Sequence, residues 1–426
     1  MGISQSAWPM NSKSEIVLAT GEGNTIVTGF MGQDQIPATA DGRIKLAGVA
    51  PSRTSDNDYN IGAYYFPGWS TPGGGPNPTN PWSIIPTNRL PLIGMFDETK
   101  QSVCDYNLEL ARDYGLKFFA YDWYADIVNN AYVPFLDHAI NNHKKSTVYS
   151  KPKYCVNFIV QTNAAKFSLT TWPLLYNFWV NNYFNDPNYL TINNKPVVMI
   201  FDVSTFSTRM GGASQVTQAL DSARNAAIAA GFAGIHFVGL QADSSNFWMS
   251  ACLTHGWDGM SSYTIFSKYL NGGDTSANSK TGFDRLDDAI FSADEVISSS
   301  TYHSWWGNTG YTNPPTLVDT GSAWVAPAAP SSNGWGGKNF PSFIIPIASG
   351  YDARPWTYSS TLQGIPTADQ FEAHLIKARQ VIDTNRAKTK GFGIITAWNE
   401  FGEGSFIMPT VTSGYEKLQA IKRVFG

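Results

Sequence analysis

The sequence predicts an α/β fold: a (β/α)8 TIM barrel with a small N-terminal β-rich extension. Two observations carry this prediction. From residue 61 to the C-terminus, apolar runs of strand length alternate with longer segments of helical period, an order typical of a parallel sheet covered by helices. These strand–helix pairs number eight, as a closed barrel requires. The chain of 426 residues is long for one domain, but barrels routinely exceed about 250 residues.

The chain is predicted to have two parts, an N-terminal β-rich extension with its linker at residues 1–57 and the barrel at residues 58–426. Within the extension, residues 15–20 and 25–28 are expected to be strands around a turn, and residues 43–46 a third strand. A few short strands enclose too small a core to be stable alone. The extension is therefore expected to pack on the barrel or to dock to a larger assembly, such as a virion.

Eight barrel strands are predicted from short apolar runs, many of them rich in β-branched and aromatic residues. Gly231 stands where one of the intervening helices ends, and Gly115 closes another. Parallel strands joined in this way have right-handed crossovers. The strands are expected at residues 61–66, 117–122, 153–161, 195–202, 235–240, 257–263, 343–347 and in the first half of 391–404, and the helices at residues 100–114, 132–143, 171–184, 214–230, 245–253, 284–299, 369–384 and 415–424.

Composition narrows the class of ligand. Charged residues make up only 15% of the chain and aromatic residues 14%, and the net charge is -4. Proteins that bind nucleic acid are usually basic, so no nucleic-acid partner is expected. Aromatic faces with amide and hydroxyl groups suit a neutral, hydroxyl-rich ligand. The expected partner is therefore a poly- or oligosaccharide.

Neither a cofactor nor a membrane is expected. The three cysteines are scattered, without a disulfide framework or a metal motif, and the six histidines lack the spacing of a zinc site. No apolar run reaches the roughly 18 residues of a membrane span, and the N-terminus lacks a signal-peptide pattern. The location stays open between extracellular or virion-associated action and the cytoplasm.

The last predicted strand leads into an acidic turn. Residues 391–404 begin as a buried strand and then break into Trp398, Asn399, Glu400 and Glu403 among glycines. Two carboxylates three residues apart at a strand end are candidates for acid–base catalysis on a sugar. Barrel chemistry lies at the carboxyl ends of the strands. The side chains expected to bind substrate there are Tyr65, Asp122, Trp123, Gln161, Asp202, Tyr263, Tyr351, Arg354, Trp356, Trp398 and Asn399.

Structural interpretations compete with several of these assignments. Glu400 and Glu403 could cap the following turn or pair with Arg354, although their position at a strand end favours catalysis. Asp122 and Asp202 are equally compatible with sugar binding and with orienting a loop by accepting backbone N–H groups.

Several segments, in their order and spacing, resemble glycoside hydrolase family 99 and the related WbsX-like (family 99-like) proteins. The resemblance spans roughly residues 61–424 and is most specific in TAWNEFGEG (396–404), which is similar to the family's W/F-N-E-W-x-E-G signature. The other segments are GAYYFPGW (62–69), RLPLIGMFDETKQSVCDYNLELARDYGLKFFAYDWY (89–124), DPNYLTINNKPVVMIFD (186–202), YTIFS (263–267) and IPIASGYDARPW (345–356).

The resemblance implies a (β/α)8 barrel that cleaves α-mannosides internally, with retention of configuration and without a metal. It implies that Glu400 takes the proton of the sugar's own 2-hydroxyl, which then attacks the anomeric carbon. Glu403 is implied as the general acid and later the base. Acids so close in sequence are poorly placed to flank a sugar ring from opposite faces, as ordinary glycosidase pairs do, and this favours such a mechanism.

This chain departs from the family pattern in ways that leave the sugar open. Phe401 replaces the usual tryptophan, Met408 stands where an acid is common, and strand three ends in Gln161 and Asn163 rather than in a carboxylate. Two other functions also stay open. One is a non-catalytic carbohydrate-binding barrel in a larger assembly, and the other is a role in polysaccharide biosynthesis.

Overall fold

The computed structural model describes residues 59–70, 81–129, 131–133, 136–160, 167–241, 255–263, 342–356 and 362–426, together with two N-terminal strands. Its centre is a barrel of eight parallel strands. These are β1 (Asn60–Tyr65), β2 (Phe118–Trp123), β3 (Lys153–Ile159), β4 (Lys195–Phe201), β5 (His236–Gln241), β6 (Gly259–Ser262), β7 (Ser342–Phe343 and Ile345–Ala348) and β8 (Phe392–Thr396).

The sheet closes through β7, which is interrupted at Ile344. Its first part pairs with β6, where Gly259 lies opposite Ser342, and its second part pairs with β8, where Ile345 lies opposite Gly393. Strand β8 in turn pairs with β1. All of these pairings are parallel, so the predicted (β/α)8 barrel is confirmed.

The barrel strands are buried along nearly their whole length. Every residue of β2 and β8 is buried, as expected where helices cover a parallel sheet. Packing between β1 and β2 is tight, since a Cβ on Gly62 would lie 2.4 Å from the ring of Phe118. A glycine at this position therefore makes room for the phenyl ring.

Helices follow the strands on the outside of the barrel. The helix Ala368–Thr384 begins at a capping box, in which the Thr367 hydroxyl accepts from the Gln370 N–H and the Gln370 side chain accepts from the Thr367 N–H. The helices of the described residues are α1 (Gln101–Asp113), α2 (His138–Lys145), α3 (Trp172–Asn182), α4 (Val203–Met210), α5 (Ala213–Ala229), α6 (Ala368–Thr384), α7 (Arg386–Thr389) and α8 (Glu416–Phe425).

Five of the predicted helices are confirmed, those at 100–114, 171–184, 214–230, 369–384 and 415–424. The helix predicted at 132–143 is wrong in its first half. Ala131–Val133 is a strand that pairs with Asp126–Val128, and the helix begins at His138. The reason is aromatic packing, because the Tyr132 ring stacks on Trp123 with centroids 4.8 Å apart. The helices predicted at 245–253 and 284–299 lie outside the described residues.

The N-terminal part contains an antiparallel strand pair. Ser14–Leu18 pairs with Thr25–Phe30, which confirms the two strands predicted there. The third strand, predicted at residues 43–46, lies outside the described residues, and the boundary at residue 57 stays a prediction. No helix in the described part of the chain combines the length and apolar character needed to cross a membrane.

Candidate active site

The chain leaves β8 and forms a short hairpin that carries both candidate catalytic glutamates. We name residues 399–406 the acid turn. Asn399–Glu400 pairs antiparallel with Ser405–Phe406, so Glu400 lies opposite Ser405 and Glu403 occupies the loop between them. Gly404 has a φ of +71°, which an L side chain rarely adopts. The acid turn therefore stands directly above the carboxyl end of β8.

Three carboxyl groups interact at this end of the barrel. Glu400 is only 7% exposed, and its burial raises the pKa well above the usual range, with the charges of Glu403 and Asp122 adding to the effect. Asp122 lies at the end of β2 and is 5% exposed. The pKa of Asp122 is raised to about 8, chiefly by burial and also by the charge of Glu403, while the hydrogen bond from Asn157 partly opposes the rise. Carboxylates that repel one another in a buried site do not all ionise at neutral pH, so the cluster retains a proton there.

Tyrosines surround the three acids. Tyr124, Tyr263 and Tyr351 follow β2, β6 and β7, and the pKa of each is raised first by burial and also by the charges of Glu400 and Glu403. For Tyr351 the raised pKa is about 12. These phenols keep their protons at neutral pH and can donate hydrogen bonds to a ligand.

Two aromatic residues of this region were not among the predicted site residues. Tyr124 is two residues beyond Asp122, and Tyr64 precedes the predicted Tyr65. The Tyr64 ring lies 4.8 Å from that of Tyr263, and the charge of Asp122 adds to the effect of burial in raising the Tyr64 pKa. The two-residue period of a strand connects Asp122 with Tyr124, and this signal could have found Tyr124.

Tyr65 and Asn399 lie in a buried polar network centred on Glu98. The Tyr65 hydroxyl donates to Glu98 Oε2 at 2.8 Å, and Asn399 Nδ2 donates to Glu98 Oε1 at 3.1 Å. Asn107 Nδ2 donates to the Tyr65 hydroxyl at 2.9 Å, and the Trp398 indole donates to Asn107 Oδ1 at 3.3 Å. The structure therefore gives Tyr65, Trp398 and Asn399 partners in the protein, and their contact with substrate stays a prediction.

Asp202 caps a helix. It has a φ of +65° and begins α4, where its carboxylate accepts from the Thr205 N–H at 2.9 Å and from the Thr205 hydroxyl at 2.6 Å. The sequence left open sugar binding and the orientation of a loop through backbone N–H groups. In the structure the carboxylate accepts a backbone N–H as a helix cap, in agreement with the second interpretation.

Trp123 is buried in an aromatic cluster. Its indole donates to the Tyr183 hydroxyl at 3.2 Å, and its ring packs against Trp179 and Phe158 in addition to Tyr132. These contacts place the side chain in the packing between strand and helix, and its contact with a ligand stays a prediction.

Arg354 pairs with Asp352 rather than with either glutamate. Its Nε and Nη2 donate to the two oxygens of Asp352 at 2.7 and 2.9 Å. Arg89 contacts the same carboxylate from the buried side and donates to the Asp352 carbonyl at 2.8 Å. The Asp352 N–H in turn donates to the Glu403 carbonyl at 2.6 Å. This cluster therefore supports the backbone of the acid turn.

Two predicted residues cannot be placed. Gln161 lies outside the described residues, and Trp356 is described only as the end of the short helix Arg354–Trp356. In the part of the chain that the structure describes, no cluster of His, Cys, Asp and Glu side chains is arranged to hold a metal.

The two sequence departures near the acid turn are buried. Phe401 packs against Trp69 and Phe406 with ring centroids 5.3 and 5.5 Å apart, and also contacts Trp82 and Phe96. Met408 is likewise buried. Phe401 therefore belongs to the aromatic support beneath the acid turn.

The fold and the acid turn define a parallel (β/α)8 barrel with a cluster of carboxyl groups at the carboxyl ends of its strands. A family model described as "Glycosyltransferase WbsX" matches residues 166–421, and the chain belongs to this family. No curated protein matches the chain.

Two solved structures of the GH99 endo-alpha-mannosidase from Bacteroides thetaiotaomicron share the fold. The complex with BIS-TRIS-propane has a TM-score of 0.56 at 13% identity and covers 86% of this chain and 96% of its own. The other structure has a TM-score of 0.54 at 13% identity, with coverages of 87% and 96%. The likeness to family 99 is therefore confirmed for the fold, and the predicted WbsX-like membership is confirmed by the family model.

Proposed function

We propose that this protein is a retaining endo-glycosidase that cleaves a polysaccharide or glycan, with an α-mannoside as the first substrate to examine. The observation that carries the proposal is the cluster of Glu400, Glu403 and Asp122 at one mouth of the barrel, surrounded by tyrosine hydroxyls. Acids and phenols hydrogen-bond sugar hydroxyls, and acids also promote proton transfer.

In the proposed reaction the substrate supplies its own nucleophile. Glu400 accepts the proton of the 2-hydroxyl while that oxygen bonds to the anomeric carbon, and Glu403 donates a proton to the departing glycosidic oxygen. Water then attacks the anomeric carbon and gives a proton to Glu403, while Glu400 returns its proton to the 2-oxygen. Two acids three residues apart on one hairpin suit this scheme, since neither has to lie on the opposite face of the ring.

The environment of each acid supports its role. Burial raises the pKa of Glu400, and a carboxylate of higher pKa is a stronger acceptor for a hydroxyl proton. Glu403 is only partly buried, in the loop of the acid turn, where it can be reached by the leaving group and by water. In this proposal Asp122 hydrogen-bonds a sugar hydroxyl, and its carboxyl group is oriented by Asn157 Nδ2, which donates to Asp122 Oδ1 at 2.8 Å.

The test is cleavage of a panel of α-mannans and other polysaccharides. Reactions are run in H₂¹⁸O, the products are identified by mass spectrometry, and their anomeric configuration is followed by NMR. Wild-type protein should give internal cleavage with retention. Glu403→Gln should lower kcat by about 10²- to 10⁴-fold, since it removes one acid–base group. Glu416→Gln, an exposed glutamate on α8, is the matched control and should be unchanged.

Leaving-group chemistry separates the two glutamates. A glycosyl fluoride needs little acid assistance, so Glu403→Gln should retain bond cleavage with it, whereas Glu400→Gln should not. Wild-type protein that binds a glycan of the panel and cleaves none would contradict the hydrolase proposal and favour a non-catalytic binding barrel.

Transfer of a glycosyl group is the second candidate, and the description of the matched family favours it. In both reactions the 2-oxygen bonded to the anomeric carbon gives an anhydro-sugar intermediate. In the transfer reaction a sugar hydroxyl, rather than water, would attack the anomeric carbon of this intermediate. Addition of acceptor oligosaccharides distinguishes the two. Products longer than the substrate at the expense of hydrolysis indicate transfer, and products that stay independent of acceptor indicate hydrolysis.

A further inference from the structure

A lysine is buried behind the acid turn. Lys417, on α8, is only 4% exposed, and its Nζ donates to two backbone carbonyls, Ser349 O and Phe406 O, both at 2.8 Å. The ammonium also lies 4.5 Å from the ring centroid of Phe406. Among the described residues no carboxylate forms an ion pair with it. Lysine is rarely buried without a carboxylate partner, so this position needs an explanation.

Burial disfavours the charge on this lysine. Burial, with a smaller contribution from the nearby positive charge of Arg89, lowers the pKa of Lys417 to about 7. An apolar side chain of similar size would avoid this cost. The two hydrogen bonds are what an apolar side chain cannot provide.

Both carbonyls belong to segments that position the acids. Ser349 follows β7, and Phe406 lies opposite Asn399 in the hairpin of the acid turn. The neighbouring Ser405 hydroxyl donates to Gly350 O at 2.6 Å. Lys417 therefore joins the returning strand of the acid turn to the segment that follows β7, which we name the anchor segment (residues 349–352).

Arg89 joins the same two segments at another point. Its Nη1 donates to Asp352 O at 2.8 Å and to Phe401 O at 3.4 Å, and its guanidinium pairs with the Asp352 carboxylate. Contact between the segments is close, since a Cβ on Gly404 would lie 2.8 Å from the Asp352 nitrogen. The acid turn is thus held to the anchor segment near both of its ends.

We infer that Lys417 and Arg89 are positioning residues, two buried cations that fix the acid turn on the anchor segment and so set the orientation of Glu400 and Glu403. The inference rests on the proposed function, because it assigns the glutamates to catalysis. Neither cation is required to touch substrate. A misplacement of about 1 Å in a catalytic group costs about 100-fold in rate, so a rigid attachment has a direct catalytic consequence.

The principal test is Lys417→Met, which removes the donor and keeps an unbranched apolar stem. We expect kcat to fall about 100-fold while KM changes by less than about threefold. The melting temperature should change little, since relief from burying a charge offsets the loss of two hydrogen bonds. Lys422→Met is the matched control, because Lys422 lies on the same helix and donates to a carbonyl, Asp113 O, at the surface. This control should keep wild-type kcat.

Hydrogen exchange provides a readout that does not depend on turnover. Backbone amides of the acid turn should exchange faster in Lys417→Met than in the wild-type protein. In Lys422→Met their exchange rates should equal those of the wild type. If the wild-type protein cleaves no glycan, the proposed function fails, and the exchange result alone decides whether Lys417 holds the turn. In an active enzyme, a wild-type kcat in Lys417→Met overturns the inference whatever happens to exchange or stability.

A second variant covers the case in which Lys417→Met does not fold. Arg89→Lys keeps the positive charge but loses the fork that reaches Asp352 and Phe401 together, and should lower kcat about tenfold. Arg112→Lys, at a surface arginine that donates to the Tyr149 carbonyl, is its control. Equal kcat for these two variants would overturn the inference.

Discussion

Glu98 and Glu400 are both buried glutamates whose pKa is raised chiefly by burial, yet their surroundings differ. The oxygens of Glu98 accept hydrogen bonds from Tyr65 and Asn399, and these bonds oppose the rise in pKa. At Glu400 the neighbouring charges are those of Glu403 and Asp122, and they raise the pKa further. Hydrogen bonds therefore partly offset the cost of burying an ionised carboxylate at Glu98, whereas neighbouring negative charges add to that cost at Glu400.

The difference separates a structural acid from a candidate catalytic one. Asn399 and Glu400 are consecutive in the chain, but Asn399 completes the network around Glu98 while Glu400 joins the acid cluster. Burial alone does not distinguish them. A buried acid placed among other acids costs stability, and such arrangements are concentrated at functional sites.

Exchanging each glutamate for glutamine should produce opposite phenotypes, and this is the largest expected effect. Glu400→Gln removes the proposed base and should lower kcat about 1000-fold, with stability unchanged or increased because like-charge repulsion is removed. Glu98→Gln should leave kcat within about tenfold of wild type but cost about 1–3 kcal/mol, since the amide nitrogen cannot accept from both donors. Initial rates and urea unfolding measure the two quantities.

The exposed Glu416 provides the control for both substitutions, and Glu416→Gln should alter neither rate nor stability. The comparison fails if Glu400→Gln loses stability without losing activity, or if Glu98→Gln loses activity in proportion to Glu400→Gln.

Asp122 allows the repulsion in the acid cluster to be measured through pH. Its pKa is about 8 in the folded protein, against 3.8 for a free aspartate, so the native state holds the proton more tightly. Stability should therefore fall as pH rises from about 4 to about 8, by at most about 1.4 kcal/mol per pH unit for this group. Asp122→Asn keeps an oxygen for the Asn157 donor and should flatten the curve.

Urea unfolding at pH 5 and pH 7 measures this slope. Between these two pH values, the wild-type protein should lose up to about 3 kcal/mol more of its free energy of unfolding than Asp122→Asn does. Asp369→Asn, at an exposed acid in the first turn of α6, is the control and should leave the slope as it is. A wild-type slope in Asp122→Asn would mean that this carboxyl does not share the buried cluster.

The barrel was predictable because its signals are local. Each strand is a short apolar run, and the acid turn is marked by glycines beside Glu400 and Glu403. The side-chain partners were not predictable, because they depend on contacts distant in sequence. Glu98 meets Asn399 across 301 positions, and Arg89 meets Asp352 across 263.

Errors at strand ends have a related cause. Tyr64 and Tyr65 are equally aromatic, and only the direction of the strand decides which one contacts Tyr263. Likewise Asp202 follows a strand as Asp122 does, but the chain there turns at once into α4 and uses the carboxylate as a cap. The sequence therefore predicts which residues lie near the mouth of the barrel more reliably than it predicts the direction in which their side chains point.

The smallest expected effect concerns Phe401, which lies on the buried side of the acid turn. Phe401→Trp restores the residue common in the resembled family, but the cluster of Trp69, Trp82, Phe96 and Phe406 is already packed around a phenyl ring. Overpacking should cost about 1–3 kcal/mol. If Phe401 only supports the turn, kcat should change less than about tenfold and glycan preference should stay the same. A changed preference on the polysaccharide panel would instead show that residue 401 influences substrate recognition. The side chain that supports the acid turn would then also help to determine which glycan is cleaved.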